Sequence, residues 1–102
     1  MAFVSMGTIT IASAASTSTI MGGFEDAEAM GIGASANAET ATLTVGATIA
    51  GPFFALQSGG ADVTLNGGKF VTISEVAFNA IQLTTASGVA ADRTFTIMKQ
   101  IK

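Results

Sequence analysis

The chain has 102 residues, of which 11% are charged and 49% hydrophobic, and its seven acidic and four basic residues give a net charge of −3. The absence of Cys and His excludes disulfides, Cys/His metal sites and the usual nucleophile–base pairs of enzymes. Four basic residues are too few to follow a phosphate backbone. A hydrolase that uses two carboxylates stays formally open, but we expect no enzymatic activity, no cofactor and no nucleic-acid partner.

The length predicts a single domain over residues 1–102. A core of this size is marginal, and subunit contacts are the remaining way to supplement it. The low charge is typical of a surface covered by neighbouring subunits, so we expect a homo-oligomer. The apolar stretch 1–15 lacks the Lys or Arg of a secretory signal, and no apolar run reaches the roughly 18 residues of a membrane span.

Alternation of apolar and polar residues with period two predicts β-strands, with Thr on the outward face. The clearest cases lie at 7–12, 40–47 and 94–98. The full set of predicted strands, in chain order, is 7–12, 17–21, 29–34, 40–47, 53–57, 63–65, 69–73, 78–84 and 94–98. Residues 1–6 and 100–102 fall outside these strands and are candidate arms.

Three local features refine this pattern. Asn66-Gly67-Gly68 predicts a tight turn that joins 63–65 and 69–73 as a hairpin. Pro52, the only proline, is compatible with the start of an edge strand. Residues 23–30 are the one alternative for a helix, of a single turn. About eight short strands and no long amphipathic helix predict an all-β antiparallel sandwich or barrel, with an extended N-terminal arm as an option.

The acidic residues include one cluster, Glu25, Asp26 and Glu28. A solvated loop is the simplest interpretation, ahead of an ion-pair patch at an interface. A cation site is the third, although the cluster lacks the spacing of a calcium loop.

The basic residues concentrate near the C-terminus, where Arg93, Lys99 and Lys102 lie in the last ten positions. Pairing of these residues with the acidic cluster of a neighbouring subunit would set the register of a head-to-tail assembly. One interpretation of Asp92-Arg93 is a simple charge pair at the end of a strand. The alternative is that Arg93 pairs with a carboxylate elsewhere in the chain and so orients the loop at 86–92.

The seven Phe residues are the bulkiest side chains available, and most of them are expected to fill the core. Phe53 and Phe54 are adjacent in a predicted strand, so they point to opposite faces and one of them lies outside the sandwich. We expect Phe53 to contact a neighbouring subunit, and Phe3, in the N-terminal segment, to do the same.

A specific pattern of strands ends the chain: a Phe-x-Ala-Ile-x-Leu strand at 78–83, followed by Ala90-Ala91-Asp92-Arg93-Thr94-Phe95-Thr96-Ile97. Together with 43–45, 54–56 and 69–73, this pattern resembles small virion structural proteins of tailed bacteriophages, over about residues 17–98. The resemblance implies a jelly-roll or Ig-like β-sandwich without catalytic residues. It further implies an oligomer, commonly a trimer, bound to the capsid.

The resemblance favours a capsid decoration or cement protein, made in the host cytoplasm and bound to the major capsid protein on the virion surface. Such a protein would add a strand or arm to a neighbour's sheet edge. The alternatives are a tail or fibre-associated component or a minor capsid protein. A carbohydrate-binding module for host adsorption is less favoured, because sugar rings usually stack on Trp or Tyr and the chain has neither.

Overall fold

The computed structural model describes residues 3–36 and 38–102 and shows an all-β antiparallel sandwich. The described residues form ten strands, of which four are only two residues long. The strands are β1 (Val4–Ile11), β2 (Ala27–Ala34), β3 (Ala41–Gly46), β4 (Phe54–Ala55), β5 (Gln57–Ser58), β6 (Ala61–Asp62), β7 (Thr64–Leu65), β8 (Phe70–Ile73), β9 (Ala80–Thr84) and β10 (Arg93–Ile101).

The first sheet has the order β1-β10-β2-β8, and all its pairs are antiparallel. The predicted alternation is confirmed at its centre. Ile9 lies opposite Phe95 and both side chains are buried, whereas Thr8 lies opposite Thr96 and both are exposed. A β-bulge near Gly7 interrupts the register of β1.

The second sheet is built around β3, which pairs with β9 on one side and with β4 and β7 on the other. Leu43 and Leu83 face each other across the β3–β9 pair and are fully buried. Strands β5 and β6 form a separate small hairpin. Pro52 precedes the edge strand β4, as expected.

The core between the two sheets is mainly aliphatic. The prediction that most Phe residues fill it is wrong, because only Phe24 and Phe95 of the seven are buried. Ile and Leu side chains from both sheets, branched and suited to the pleat, occupy the space instead. The large fully buried side chains are Phe24, Phe95, Ile11, Met30, Ile32, Leu43, Leu65, Ile81, Leu83 and Ile97.

The predicted hairpin around Asn66-Gly67-Gly68 is also wrong. The turn forms, with Lys69 N–H donating to Asn66 C=O at 3.1 Å, but β7 pairs with β3 and β8 pairs with β2, in different sheets. The turn therefore carries the chain from one sheet to the other. Gly68 N–H donates to the carbonyls of Ala34 and Ser35, which anchors the crossing to the end of β2.

Two further predictions change. Residues 17–21 form only isolated bridges, including Ile11–Ser18 and Thr17–Thr84, so this segment connects the two sheets along one side. Residues 23–30 do not form a helix. One hydrogen-bonded turn closes where Ala27 N–H donates to Phe24 C=O at 3.0 Å, and β2 then begins at Ala27 and pairs with β10.

The candidate arms belong largely to the first sheet. β1 begins at Val4, which lies opposite Lys99, and β10 continues to Ile101, opposite Ala27. Backbone pairing thus holds residues 4–6 and 100–101 against their neighbours, which corrects the expectation of extended arms. Met1 and Ala2 lie outside the described residues.

Candidate interaction surface

The two ends of the sandwich differ in chemistry. We define the Lys102 end as the region where β1 begins and β10 ends, which comprises residues 3–4, 22–28, 46–54, 74–79 and 99–102. Hydrogen bonds connect its loops, since the Asn79 carbonyl and its side-chain Oδ1 both accept the N–H of Phe24. The opposite end carries Arg93 and the loop that precedes it.

The structure brings seven of the eight residues predicted for an interface to the Lys102 end. They are Phe3, Glu25, Asp26, Glu28, Phe53, Lys99 and Lys102. Arg93 is the exception, because it begins β10 at the far end of the sheet. The clustering arises because the acidic cluster leads into β2 while the basic residues end its antiparallel neighbour β10.

Exposed apolar side chains concentrate at the same end. Among the described residues, seven large hydrophobic side chains are exposed. Five of them belong to the Lys102 end, and these are Phe3, Val4, Ile49, Phe54 and Ile101. Phe54 and Ile49 are the most exposed of all, at 66% and 64%. Exposed apolar groups gathered in one region are typical of surfaces that bind another protein.

Phe53 and Phe54 differ in exposure, and only Phe54 belongs to β4, with Phe53 immediately before it. Phe53 is half-buried against two glycines, with its ring 2.9 Å from where a Cβ on Gly51 would lie and 3.3 Å from that of Gly46. Phe54 is 66% exposed and is therefore the more exposed of the two. The prediction that one of the two lies outside is confirmed, and Phe54 is the stronger candidate for contact.

A shallow depression of about 320 Å³ lies within the Lys102 end. Phe24 and Phe78 form part of its apolar lining and stack at a tilt, with ring centroids 5.8 Å apart. Glu25 and Lys102 supply one charge of each sign at the depression. A partner that covers this region would therefore contact exposed apolar side chains, a partly apolar depression, and one charge of each sign.

Asp26 and Lys99 pair within the chain at this end. Lys99 Nζ donates to Asp26 Oδ1 at 2.6 Å and to the carbonyl of Gly23 at 2.8 Å. The hydrogen bond from Lys99 lowers the pKa of Asp26. Of the charges predicted to pair between subunits, Asp26 and Lys99 pair with each other and Arg93 pairs with Glu39. Glu25, Glu28 and Lys102 are exposed.

The opposite end is held by an ion pair whose acidic member the sequence did not reveal. Arg93 Nε donates to Glu39 Oε1 at 2.6 Å, and Glu39 Oε2 accepts the N–H of Ala90 at 2.9 Å. These two hydrogen bonds lower the pKa of Glu39. Asp92 Oδ1 accepts the N–H of Ser13 at 2.8 Å. Asp92 and Arg93 therefore anchor the loop at 86–92.

The outer face of the first sheet carries one feature that the sequence did not predict. Phe70 is 51% exposed and lies flat over the neighbouring strand β2, against Gly31 and Gly33. Side chains at these positions would meet the ring, which explains glycine at alternate positions of a strand. The Gly-x-Gly spacing at 31–33 was the available clue.

The acidic cluster does not form a cation site in this structure. In the part of the chain that is described, no three Asp or Glu carboxylates come close enough together to hold a metal ion. Asp26 turns toward Lys99, while Glu25 and Glu28 are exposed.

Among residues 3–36 and 38–102, no helix is long and apolar enough to cross a membrane.

Comparison with known proteins gives no relatives. No protein-family model, curated protein or solved structure matches the chain significantly. The functional assignment therefore depends on the residues and surfaces of this chain.

Proposed function

We propose that this protein is a structural component of a bacteriophage particle, a decoration or cement protein that binds the major capsid protein. In this role it stabilises the head by burial of surface rather than by chemistry on a substrate. The strand pattern of residues 69–73, 78–83 and 90–97, which resembles that of small virion proteins, is the reason for proposing this class. The geometry of the Lys102 end indicates how such a protein would bind.

The observation that carries the proposal is the concentration of exposed apolar side chains at one end. Phe54, Ile49 and Ile101 are 66%, 64% and 40% exposed. Burying apolar surface contributes about 25 cal/mol per Å², so covering side chains of this size supplies a useful binding energy for each copy. The isolated chain leaves that energy unrealised.

The composition suits repeated packing on a large surface. Ala, Gly, Thr and Ser make up just over half the chain. Their side chains lose little conformational entropy when a contact forms. Threonines on the outer faces, such as Thr8 and Thr96, give a surface of short side chains in place of long charged ones.

A trimer is the arrangement we propose on the particle, as the resemblance implies. Closed symmetry repeats each contact in every subunit, and several weak contacts to one capsid then add through avidity. Exposed Glu25 and Glu28 lie at the same end as exposed Lys102, so one copy can offer either sign of charge to the next.

The test is the copy number of the chain in purified particles of the phage that encodes it, measured by quantitative mass spectrometry against the major capsid protein. A decoration protein is present in hundreds of copies per particle. A few copies would indicate a tail, fibre or minor capsid component instead. Absence from the particle would contradict a structural role.

A further inference from the structure

The two sides of the sandwich, between its ends, are closed to different degrees. On one side the segment 17–21 connects the sheets, because Ser18 bridges to Ile11 of β1 and Thr17 bridges to Thr84 of β9. On the other side β8 is the last strand of its sheet and, within the described part of the chain, pairs only with β2. The second sheet and the β5–β6 hairpin lie across from it.

The hydrogen bonds between β8 and β2 determine which backbone groups of β8 point away from the sheet. Ala34 N–H donates to Lys69 C=O at 2.9 Å, and Phe70 lies opposite Gly33. In an antiparallel ladder this bond places Val71 in a hydrogen-bonded pair with β2 and directs the N–H and C=O of Phe70 and Thr72 outward. Those groups form an edge that can accept another strand.

A groove of about 460 Å³ lies beside this edge. Its apolar lining consists of Leu56, Val63, Ile73 and Ala77. Thr72 belongs to the same wall as the free edge. The core is thus incompletely covered here. An extended segment of about four residues, at 3.3 Å per residue, matches the four residues of β8 in length.

The charged residues in and beside the groove lining are acidic, whereas the exposed Lys69 lies at the opposite end of β8. Glu75 is the only charged residue among those that line it. The adjacent β6 contributes Asp62, whose Oδ1 accepts a hydrogen bond from the lining residue Gln57 at 2.9 Å. An occupant with a Lys or Arg beside its apolar residues would complement this rim.

We propose that the β8 edge and its groove bind an extended, basic segment of a partner protein by strand addition. The segment's backbone would bond to Phe70 and Thr72, and its alternate apolar side chains would cover Leu56, Val63 and Ile73. The proposal rests on the proposed function only for the source of the segment, a protein of the same particle. The binding itself is a property of the isolated chain.

The experiment is titration of the full chain with the peptide acetyl-Lys-Val-Thr-Val-Thr-Val-amide, followed by NMR and amide hydrogen exchange. We expect the peptide to slow exchange of the Phe70 and Thr72 amides and to leave Val71, already bonded to β2, nearly unchanged. The same peptide with Glu in place of Lys should bind several-fold more weakly, because it faces Glu75.

A matched pair of variants separates the backbone from the side chain. Thr72→Pro removes one outward N–H without removing a bond to β2, and it should weaken peptide binding about tenfold. Thr72→Ala keeps the N–H and should bind as the wild type does. Thermal unfolding of both variants shows whether each folds, and the Glu75→Lys variant tests the charge independently if Thr72→Pro does not fold.

Three results would overturn the proposal. They are absence of peptide binding at millimolar concentration, equal binding by Thr72→Pro and Thr72→Ala when both fold, and protection of the Phe70 and Thr72 amides by a second copy without peptide. The last would identify the occupant as this chain itself. Failure of peptide binding with normal association to particles would refute the groove and leave the proposed function standing.

Discussion

The ring of Phe70 lies so close to Gly31 on the neighbouring strand that a Cβ at Gly31 would be 2.5 Å from Phe70 Cζ. The contact fixes an exposed aromatic side chain on the outer face of the first sheet. It also covers the backbone of β2, where glycine supplies no side chain of its own. An aromatic residue across from a glycine is a known way to compensate for that missing side chain.

This contact predicts an unusual NMR signature. The Hα protons of Gly31 and Gly33 should be shifted upfield by the ring current of Phe70. Gly31→Ala should displace the ring and abolish the shift at Gly33, while the free energy of unfolding changes by less than about 1 kcal/mol, because the ring can swing into solvent. Phe70→Leu is the control that removes the ring. Unchanged Gly33 shifts in Gly31→Ala would contradict the contact.

The aliphatic core predicts a contrast between two large hydrophobic residues. Leu43→Ala should lower the free energy of unfolding by about 2–5 kcal/mol, because Leu43 is fully buried at the centre of the second sheet. Phe54→Ala should cost less than about 1 kcal/mol, because Phe54 is 66% exposed. Denaturant unfolding measures both. Equal losses would mean that Phe54 is buried in the isolated chain.

The crossing between the sheets predicts a strict need for glycine at position 67. A Cβ there would lie 2.7 Å from the carbonyl oxygen of Ala36 and 2.8 Å from that of Ala38. Backbone cannot yield as a side chain does, so Gly67→Ala should destabilise the fold by about 1–3 kcal/mol. Gly33→Ala, which meets only the movable Phe70 ring at 3.2 Å, is the matched control. Similar thermal unfolding of the two variants would refute this reasoning.

The Glu39 contacts predict a pH-dependent contribution to stability. Because the pKa of Glu39 is lowered in the folded chain, its ionised form is favoured by Arg93 and the Ala90 N–H. The stabilisation is complete above the pKa of an unfolded Glu, about 4.3, and is lost as the pH falls through the lower folded value. Glu39→Gln should therefore lower the Tm at neutral pH, with the difference from the wild type shrinking in acid.

The control for this prediction is Glu28→Gln, which removes an exposed carboxylate that contacts neither Arg93 nor Ala90. Its Tm should follow that of the wild type across the same pH range. A Tm difference for Glu39→Gln that stays constant down to pH 2 would show that ionisation of Glu39 is not the source.

The strands could be predicted where apolar residues on one face alternate with polar residues on the other. Thr94–Met98 was recognised because Phe95 and Ile97 face the core and the threonines face solvent. The C-terminal end of β10 could not be predicted in this way, because residues 99–101 belong to the strand through pairing with β2 and not through an alternating pattern. Strand pairing is non-local, so a turn motif such as Asn66-Gly67-Gly68 defined the turn but not the partners of the strands beside it.

The candidate surface was predicted in composition but not in arrangement. Charges at 25–28 and 99–102 meet because β2 and β10 are antiparallel neighbours, a pairing that no local pattern specifies. Ile49 was missed because it lies in a loop, and its exposure depends on how that loop packs against Gly22. Glu39 was missed because its partner Arg93 is distant in sequence, and no local pattern indicates that they pair.

The most direct test of the proposed capsid binding through the Lys102 end is co-sedimentation of the purified chain with empty capsids of the phage proposed to carry it. The wild type should sediment in hundreds of copies per capsid, and so should Ile20→Ser, which alters a side chain that is 42% exposed but lies outside the Lys102 end. The Phe54→Ser, Ile101→Ser double variant should stay in solution while remaining folded. Failure of the wild type to bind, or equal binding by the double variant, would contradict the account.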